Sequence, residues 1–517
     1  MTGNVLFITA DQWRGECLSA LGHPCLKTPN LDRLAGDGML FSKHYSQATP
    51  CGPGRASLYT GLYLHNHRSV ANGTPLDARH TNVALEARKQ GYGPVLFGYT
   101  DVAADPRTLA VGDPSTLSNE GLLPGMTPGV YLGTDNLAWI ADLEAKGYDV
   151  ATGVYDVFLP KSDYPGAEGR GPTYPPARYA AEDSNTAFLT DHAIRHMSPR
   201  RDKPWFVHLS YLSPHPPFVV PEPYHDMYDP ADTPPVSRAA SPEEEGEQHP
   251  WLAYFLHNQI GTGFSVGHTA ADNLSLSDSD IRQLRATYYA MMSEVDTQVG
   301  RLIEHLKESG QYDNTLIVFC SDHGEQLGDH WLYAKFSYFD QSFHIPLILR
   351  DPRSEADKGR GSVISDFTEN IDVMPTIIDW LGGRIPVACD GASLLPFGGG
   401  ETPASWRREV HWAYDFRNLR TRRAERALGL TSDQCTMTVF RDEHYKYVHF
   451  TALPALLFDL EADPEEFHNL ADDPAHQGLV LEYAQKMLSW RINHDDRALA
   501  NSLLTSDGVI EGDGARR

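Results

Sequence analysis

Positive charge is scarce in this chain. Its 517 residues include 43 lysines and arginines against 69 aspartates and glutamates, a formal net charge of −26. Such a chain lacks the basic surface that nucleic acid requires, so nucleic acid is excluded as a partner. The same field repels small anions, and an anionic substrate must be drawn in by a local group of cations. Cysteine is also sparse. Cys17, Cys25, Cys51, Cys320, Cys389 and Cys435 are scattered, with no C-x-x-C pair, which argues against both a structural zinc site and a dense disulfide framework. No apolar run approaches the ~20 residues of a membrane-spanning helix. Met1-Thr2-Gly3-Asn4 leads straight into Val5-Leu6-Phe7-Ile8-Thr9, without the basic and apolar regions of a secretory signal. The expected location is cytoplasmic, with no membrane partner.

What is present is ordinary for a globular protein: 41% hydrophobic and 22% charged residues,. The length exceeds one compact core. Short apolar runs alternate with helical patterns, so the expected fold is α/β, with a large, mixed, mostly parallel sheet sandwiched by helices. The clearest strands are Val5–Thr9, Val95–Gly98, Trp205–Leu209, Leu316–Cys320 and Pro346–Leu349. A long helix is predicted over Asp278–Glu308, opened by Ser277 and Asp280 and stopped by Gly310. Segments Asp156–Pro176 and Pro221–Ser275, rich in Pro and Gly or in Pro, Glu and His, read as long loops on the substrate side. Pro396 and Gly398–Gly400 suggest a boundary near 400, dividing a domain 1–400 from a smaller α+β subdomain 401–517. The latter would carry antiparallel strands at Thr436–Arg441 and Tyr445–Phe450, a helix Leu479–Asn493 and a tail.

The most informative run is Cys51-Gly52-Pro53-Gly54-Arg55, a C-x-P-x-R pattern followed by small residues. It reads as a tight turn feeding a helix. Cys51 would sit at the positive end of that helix, with Arg55 one turn on and on the same face. A plain Pro/Gly turn with a buried cysteine is the bland alternative.

Polar clusters follow four of the predicted strands, and the carboxyl ends of strands are where doubly wound sheets bind ligands. Asp11-Gln12 follows the first strand and Asp322-His323 follows Leu316–Cys320. Two carboxylates, an amide oxygen and an imidazole suit a divalent cation such as Mn²⁺, Ca²⁺ or Mg²⁺. Ser213-Pro214-His215-Pro216-Pro217 comes a few residues after Trp205–Leu209, its prolines restricting the backbone around His215. Tyr99-Thr100-Asp101 follows Val95–Gly98 and is a weaker signal. Lys335 lies downstream of the second pair. Asn72 lies in an Asn-Gly step that reads equally as a turn, and His65 and His67 read as helix-end residues.

Together these motifs resemble the type I sulfatases of the alkaline phosphatase superfamily. Thr28–Leu34, Asp372-Val373-Met374-Pro375-Thr376, Lys446-Tyr447, Leu457–Leu460, Asp463-Pro464-Glu465 and Asn469-Leu470 match further elements in order, over almost the whole chain. Gln12, where sulfatases commonly have an acid, points to the phosphonate monoester hydrolase and phosphodiesterase branch. The resemblance implies that Cys51 is oxidised to formylglycine by a maturing enzyme. It implies one divalent metal, Mn²⁺ or Ca²⁺, held by Asp11, Gln12, Asp322, His323 and the modified residue 51. Arg55, Asn72 and Lys335 would stabilise charge on the substrate, Tyr99 would help bind it, and His215, with Lys335, would face the leaving oxygen. The implied activity is hydrolysis of small anionic sulfate monoesters, phosphonate monoesters and phosphodiesters by a homo-oligomer, a dimer or tetramer. Two rivals differ in kind: a superfamily phosphatase or phosphomutase with an unmodified nucleophile, and a non-catalytic binding protein on the same scaffold.

Overall fold

Residues Asn4–Ala10 form a fully buried strand whose alternate side chains enter opposite cores. Leu6, Ile8 and Ala10 pack on one side, Val5 and Phe7 on the other. A strand buried on both faces belongs at the centre of a sheet covered by helices, and the computed structural model places it there. The structure describes residues 3–150, 153, 155–198, 203–259, 263–266 and 270–511.

The strands in chain order are β1 (Asn4–Ala10), β2 (Met39–Tyr45), β3 (Ala48–Thr49), β4 (Val95–Gly98), β5 (Thr127–Tyr131), β6 (Phe206–Tyr211), β7 (Thr315–Cys320), β8 (His344–Arg350), β9 (Ser362–Ile364), β10 (Thr368–Glu369), β11 (Val410–Asp415), β12 (Thr436–Arg441), β13 (Tyr445–Phe450), β14 (Leu456–Asp459), β15 (Ser502–Thr505) and β16 (Gly508–Glu511). Nine of them form the main sheet in the order β10-β2-β8-β7-β1-β6-β4-β5, with β9 also on β2. β7, β1, β6 and β4 are parallel neighbours, so their carboxyl ends share one edge. β8 runs antiparallel to both neighbours, which makes the sheet mixed. Helices Pro29–Gly36, Asn185–Met197 and Asp278–Glu308 cover one face, and Cys51–Thr60, Val83–Lys89 and Val373–Trp380 the other.

The long helix spans Asp278–Glu308 as expected, and Ser277 and Asp280 form a capping box,. The terminal helix begins two residues earlier than expected, at Gln477. The segment Pro221–Ser275 is not one long loop. It holds the short helices Pro242–Gly246 and Pro250–Leu256, opened by Ser241 and His249 as caps. Trp251, Leu252, Phe255 and Leu256 bury a helical stripe in the core of the second sheet. Within this segment, 260–262 and 267–269 lie outside the described residues.

The second sheet, β14-β13-β12-β11-β3, is antiparallel except at its last step. There β3 pairs in parallel with β11, Ala48 beside Ala413 and Thr49 beside Tyr414. The backbone two residues before Cys51 is therefore fastened to the C-terminal sheet. Among the described residues, no helix is long and apolar enough to cross a membrane.

Candidate active site

Helix Cys51–Thr60 starts directly after β3 and is buried along its whole length. It lies so close to the sheet edge that a Cβ on Gly54 would stand 2.8 Å from the Asp322 carbonyl oxygen and 2.9 Å from that of Ala48. Only glycine permits this approach, and it delivers Cys51 to the strand ends. The Cys51 thiol sits 3.2 Å from His323 Nε2 and 3.9 Å from Asp11 Oδ1. Donor atoms of Asp11, Cys51, Asp322 and His323 all lie within 4.8 Å of one another, and all four residues are buried.

This set fits a divalent cation. His323 Nδ1 points at the Gly324 carbonyl, 3.0 Å away. A carbonyl only accepts, so Nδ1 carries the hydrogen and Nε2 keeps its lone pair towards Cys51 and Asp11. The mixture of carboxylate oxygen and imidazole nitrogen suits a hard or borderline ion rather than a thiolate-bound one.

Arg55 is fully enclosed. Its Nε donates to Asp322 at 2.9 Å and one terminal nitrogen to Asp11 at 3.2 Å. The other donates to Ser210 at 2.8 Å, the Tyr99 carbonyl at 3.2 Å and the Tyr59 hydroxyl at 3.4 Å. The expectation placed Arg55 beside the substrate's charge. The structure places it behind the carboxylates, where it fixes their orientation. The Tyr99 hydroxyl donates to Asp11, and the Arg55 guanidinium lies 4.2 Å from the Tyr99 ring centre. Burial is the largest influence on Asp11 and pushes its pKa up. The opposing fields of His215, Arg55, His323 and Lys335 together outweigh it and hold Asp11 ionised well below the usual carboxylate range.

Gln12 adopts a left-handed backbone, φ 68°, a costly conformation for a non-glycine residue,. Its carboxamide oxygen accepts from Lys335 Nζ at 2.7 Å, while its NH₂ donates to Glu325. These two contacts fix which end of the amide faces the cluster. Lys335 is buried. Burial pulls its pKa down, but Cys51, Asp11 and Asp322 more than offset this and keep it protonated. Its loop is held under strain, with Leu327, His330, Trp331 and Ala334 all at positive φ. Glu325 accepts from the backbone nitrogens of Leu327 and Ala334 at 3.0 and 2.6 Å, and Asp329 pairs with Arg285 at 2.7 Å and Arg14 at 2.9 Å.

Asn72 is exposed, and its side-chain oxygen accepts from the Gly52 backbone at 2.9 Å. His215 lies within electrostatic reach of Asp11, Lys335 and His323. Its Nδ1 is 2.6 Å from the Pro216 carbonyl, so the other nitrogen holds the lone pair. Burial, then Lys335, lowers its pKa to about 3. Burial, then Asp11, pushes the Cys51 thiol well above the ordinary range, and a thiol held protonated is a weak nucleophile. His67 ends helix Leu64–His67 and bonds Ser57 at 3.0 Å, outside the cluster.

Sequence reasoning missed Ser210, Tyr59 and Glu325. Glu325 stands three residues after Asp322, and that spacing was its one available signal. Ser210 and Tyr59 sit in an ordinary-looking strand and helix, with no pattern to mark them.

A sheet edge that gathers acids, an imidazole and a helix-borne cysteine around one point can hold a cation against an anionic ester, and similarity to known proteins gives the class: a hydrolase of ester bonds in the alkaline phosphatase superfamily. The profile named Sulfatase matches residues 3–383, and that named N-sulphoglucosamine sulphohydrolase, C-terminal, matches 328–493. The chain belongs to the sulfatase family. It is 43% identical to the multifunctional alkaline phosphatase superfamily protein PehA of Trinickia caryophylli, over 98% of each chain. It is 26% identical to an arylsulfatase of Clostridium perfringens, over 94% of each. The crystal structure of the phosphonate monoester hydrolase of Agrobacterium radiobacter superposes with a TM-score of 0.93 at 45% identity, over 99% of each chain. The phosphonate monoester hydrolase from Silicibacter pomeroyi also gives 0.93, at 39% identity over 99% of this chain and 100% of that one.

Proposed function

We propose that this chain is a formylglycine-dependent hydrolase of sulfate monoesters, phosphonate monoesters and phosphodiesters. The observation that carries this reading is the convergence of Asp11, Cys51, Asp322 and His323 within 4.8 Å above an enclosed Arg55. One Mn²⁺ or Ca²⁺ held by these residues and Gln12 supplies positive charge for an anionic ester, and formylglycine at position 51, hydrated, supplies paired hydroxyls for attack and release.

The chain's own groups divide the remaining work. Arg55 and Tyr99 hold Asp11, and Arg55 holds Asp322, so the carboxylates need not reorganise during reaction. Glu325 and Lys335 orient the Gln12 amide. Lys335 keeps its proton at neutral pH and presents it to charge on the substrate or departing oxygen. His215 is neutral at rest, and an anionic substrate that offsets Lys335's field restores its proton at Nε2, opposite the leaving alcohol. Asn72 holds the Gly52 amide with its oxygen and has its NH₂ for a substrate oxygen. Sulfuryl and phosphoryl esters share a tetrahedral anion with one departing oxygen, so overlapping activities are expected.

A kinetic panel of aryl sulfate, aryl phosphonate monoester and phosphate diester, with Mn²⁺ or Ca²⁺, tests the class. Turnover of at least one is expected, and no turnover by fully modified protein rejects it. Tandem mass spectrometry of the peptide containing position 51 tests the modification and its maturing-enzyme partner. Unmodified cysteine in active protein favours the unmodified-nucleophile rival. The proposed homo-oligomer is supported by the exposed stripe Leu481, Leu488 and Ile492 on the terminal helix and by exposed Leu503, Leu504, Val509 and Ile510 in the β15–β16 hairpin,. A monomer by light scattering would remove that part.

A further inference from the structure

A small cavity of about 90 Å³ opens beside the reaction centre, and two of its walls are already part of that centre. Tyr99 donates to Asp11, and Ser210 accepts from Arg55. His215 forms a third wall, and Phe158, Tyr155 and Glu120 are among the residues that line the rest. The cavity therefore begins where the leaving alcohol departs.

Its acidity is the unexplained feature. The loop after β4 is locked to the segment carrying Glu120, because the Thr100 hydroxyl donates to the Gly121 carbonyl at 2.8 Å and accepts from the Leu123 backbone at 2.9 Å. This lock brings Asp101 within electrostatic reach of Glu120. Asp101 is 5% exposed and sits at φ 46°, and its Oδ1 has no hydrogen-bond partner. Its field reaches Cys51, and it is felt together with those of Glu120, Asp11 and Asp322. Among the described residues, neither Asp101 nor Glu120 forms a salt bridge. A site built for an anionic ester has no use for two further acids unless another part of the substrate is positive. Asp101 is enclosed and Glu120 half-buried; Thr134 donates to Glu120 and the field of Arg55 reaches both, but neither has a cation paired with it, and an arriving one offsets the cost of their burial,. The aromatic faces of Tyr155 and Phe158 favour the same kind of guest.

Resting on the hydrolase reading above, we infer that the preferred substrates are esters of a small amino alcohol, whose ammonium end enters this cavity against Glu120, within the field of Asp101 behind its wall, while the ester oxygen stays by His215. The volume equals about three water molecules, which matches an aminoethyl group and excludes a bulky cationic one. Burial raises the pKa values of both acids, with Glu120 adding to it at Asp101 and Asp11 adding to it at Glu120, a state that an ammonium neighbour relieves,.

The experiment compares kcat/KM for the 2-aminoethyl and n-propyl esters of one phosphonic acid, with its 4-nitrophenyl ester as control. The aminoethyl ester is expected to be at least about 10-fold better, and Glu120→Gln to bring the ratio within about 2-fold of unity while leaving the propyl rate unchanged. Glu120→Asp, which keeps the charge, should retain part of the preference, and Asp101→Asn should lower it. If the 4-nitrophenyl ester is hydrolysed but the wild-type ratio is near one, or Glu120→Gln leaves the ratio intact, the inference is overturned. Failure to hydrolyse the 4-nitrophenyl ester overturns the hydrolase reading instead.

Discussion

Two buried charge networks in this protein look alike in composition and differ in what their acceptors face. In the C-terminal half, Lys446 is fully buried and pairs with Asp340 at 2.6 Å and with Glu466, while Arg441 pairs with Asp340 at 2.9 Å. Acid meets base directly, and each carboxylate has a base paired with it. Around Cys51 the bases approach from behind. Arg55 holds the outer sides of Asp11 and Asp322, and Lys335 donates to Gln12 and interacts with Cys51. Asp11 Oδ1 and His323 Nε2 are left 3.6 Å apart, forming a triangle with the thiol. A closed network is a structural pin, and an open one that turns acceptors inward awaits a cation. The pin serves the open site, because Asp340 heads the short helix following the strained Lys335 loop.

The contrast is broken most severely at the open network. His323→Ala removes the inward lone pair and should lower kcat/KM for aryl esters by about 1,000-fold or more, with bound metal falling in parallel by elemental analysis. Thermal unfolding should change little. A variant that kept both its metal and its rate would show that His323 is not a ligand. At the closed network the effect should invert. Lys446→Met strands Glu466 in the interior and leaves Asp340 to Arg441 alone, and should cost about 3–4 kcal/mol, read from the denaturation midpoint,. The kcat of the folded fraction should stay within about 3-fold. Collapse of kcat without lost stability would make Lys446 part of the reaction rather than a pin.

These two networks were not equally readable in the sequence. Asp11-Gln12 and Asp322-His323 were visible because each follows an apolar run, and parallel strands put such residues on one edge. The long helix was visible through its cap and its apolar period. Arg55 was visible as a residue but not in its role, because enclosure by Ser210, Tyr59 and Tyr99 depends on contacts between distant parts of the chain. The same holds for Glu325 turning Gln12, and for Glu120, which reaches the site only through the Thr100 lock. The helices at Pro242 and Pro250 were hidden because they are too short for a period to show, and their opening prolines read equally as loop residues.

Lys335 meets the open network at Gln12 and Cys51 as a donor and not as a ligand, so its loss should matter less than that of His323. For poor alcohol leaving groups, Lys335→Ala should slow kcat/KM by about 100-fold, and for 4-nitrophenyl esters by about 10-fold, steepening the dependence on leaving-group pKa. His215→Ala should steepen it in the same direction. Equal slowing across leaving groups would mean that neither side chain assists the departing oxygen.

Glu294 offers a third arrangement, a buried acid with no base. It accepts from Ser184, and among the described residues no cation pairs with it. Burial raises its pKa from 4.5 to about 7. Between these values the folded protein holds a proton that the unfolded chain has released, so stability declines as pH rises from about 5 to 7 and then levels off. The contribution is about 2 kcal/mol over that interval. Glu294→Gln keeps the shape without the proton. Relative to wild type it should gain about that much between pH 5 and pH 8, measured as the difference in denaturation midpoints. A difference that stayed flat with pH would place a base near Glu294 and move it into the closed class with Asp340.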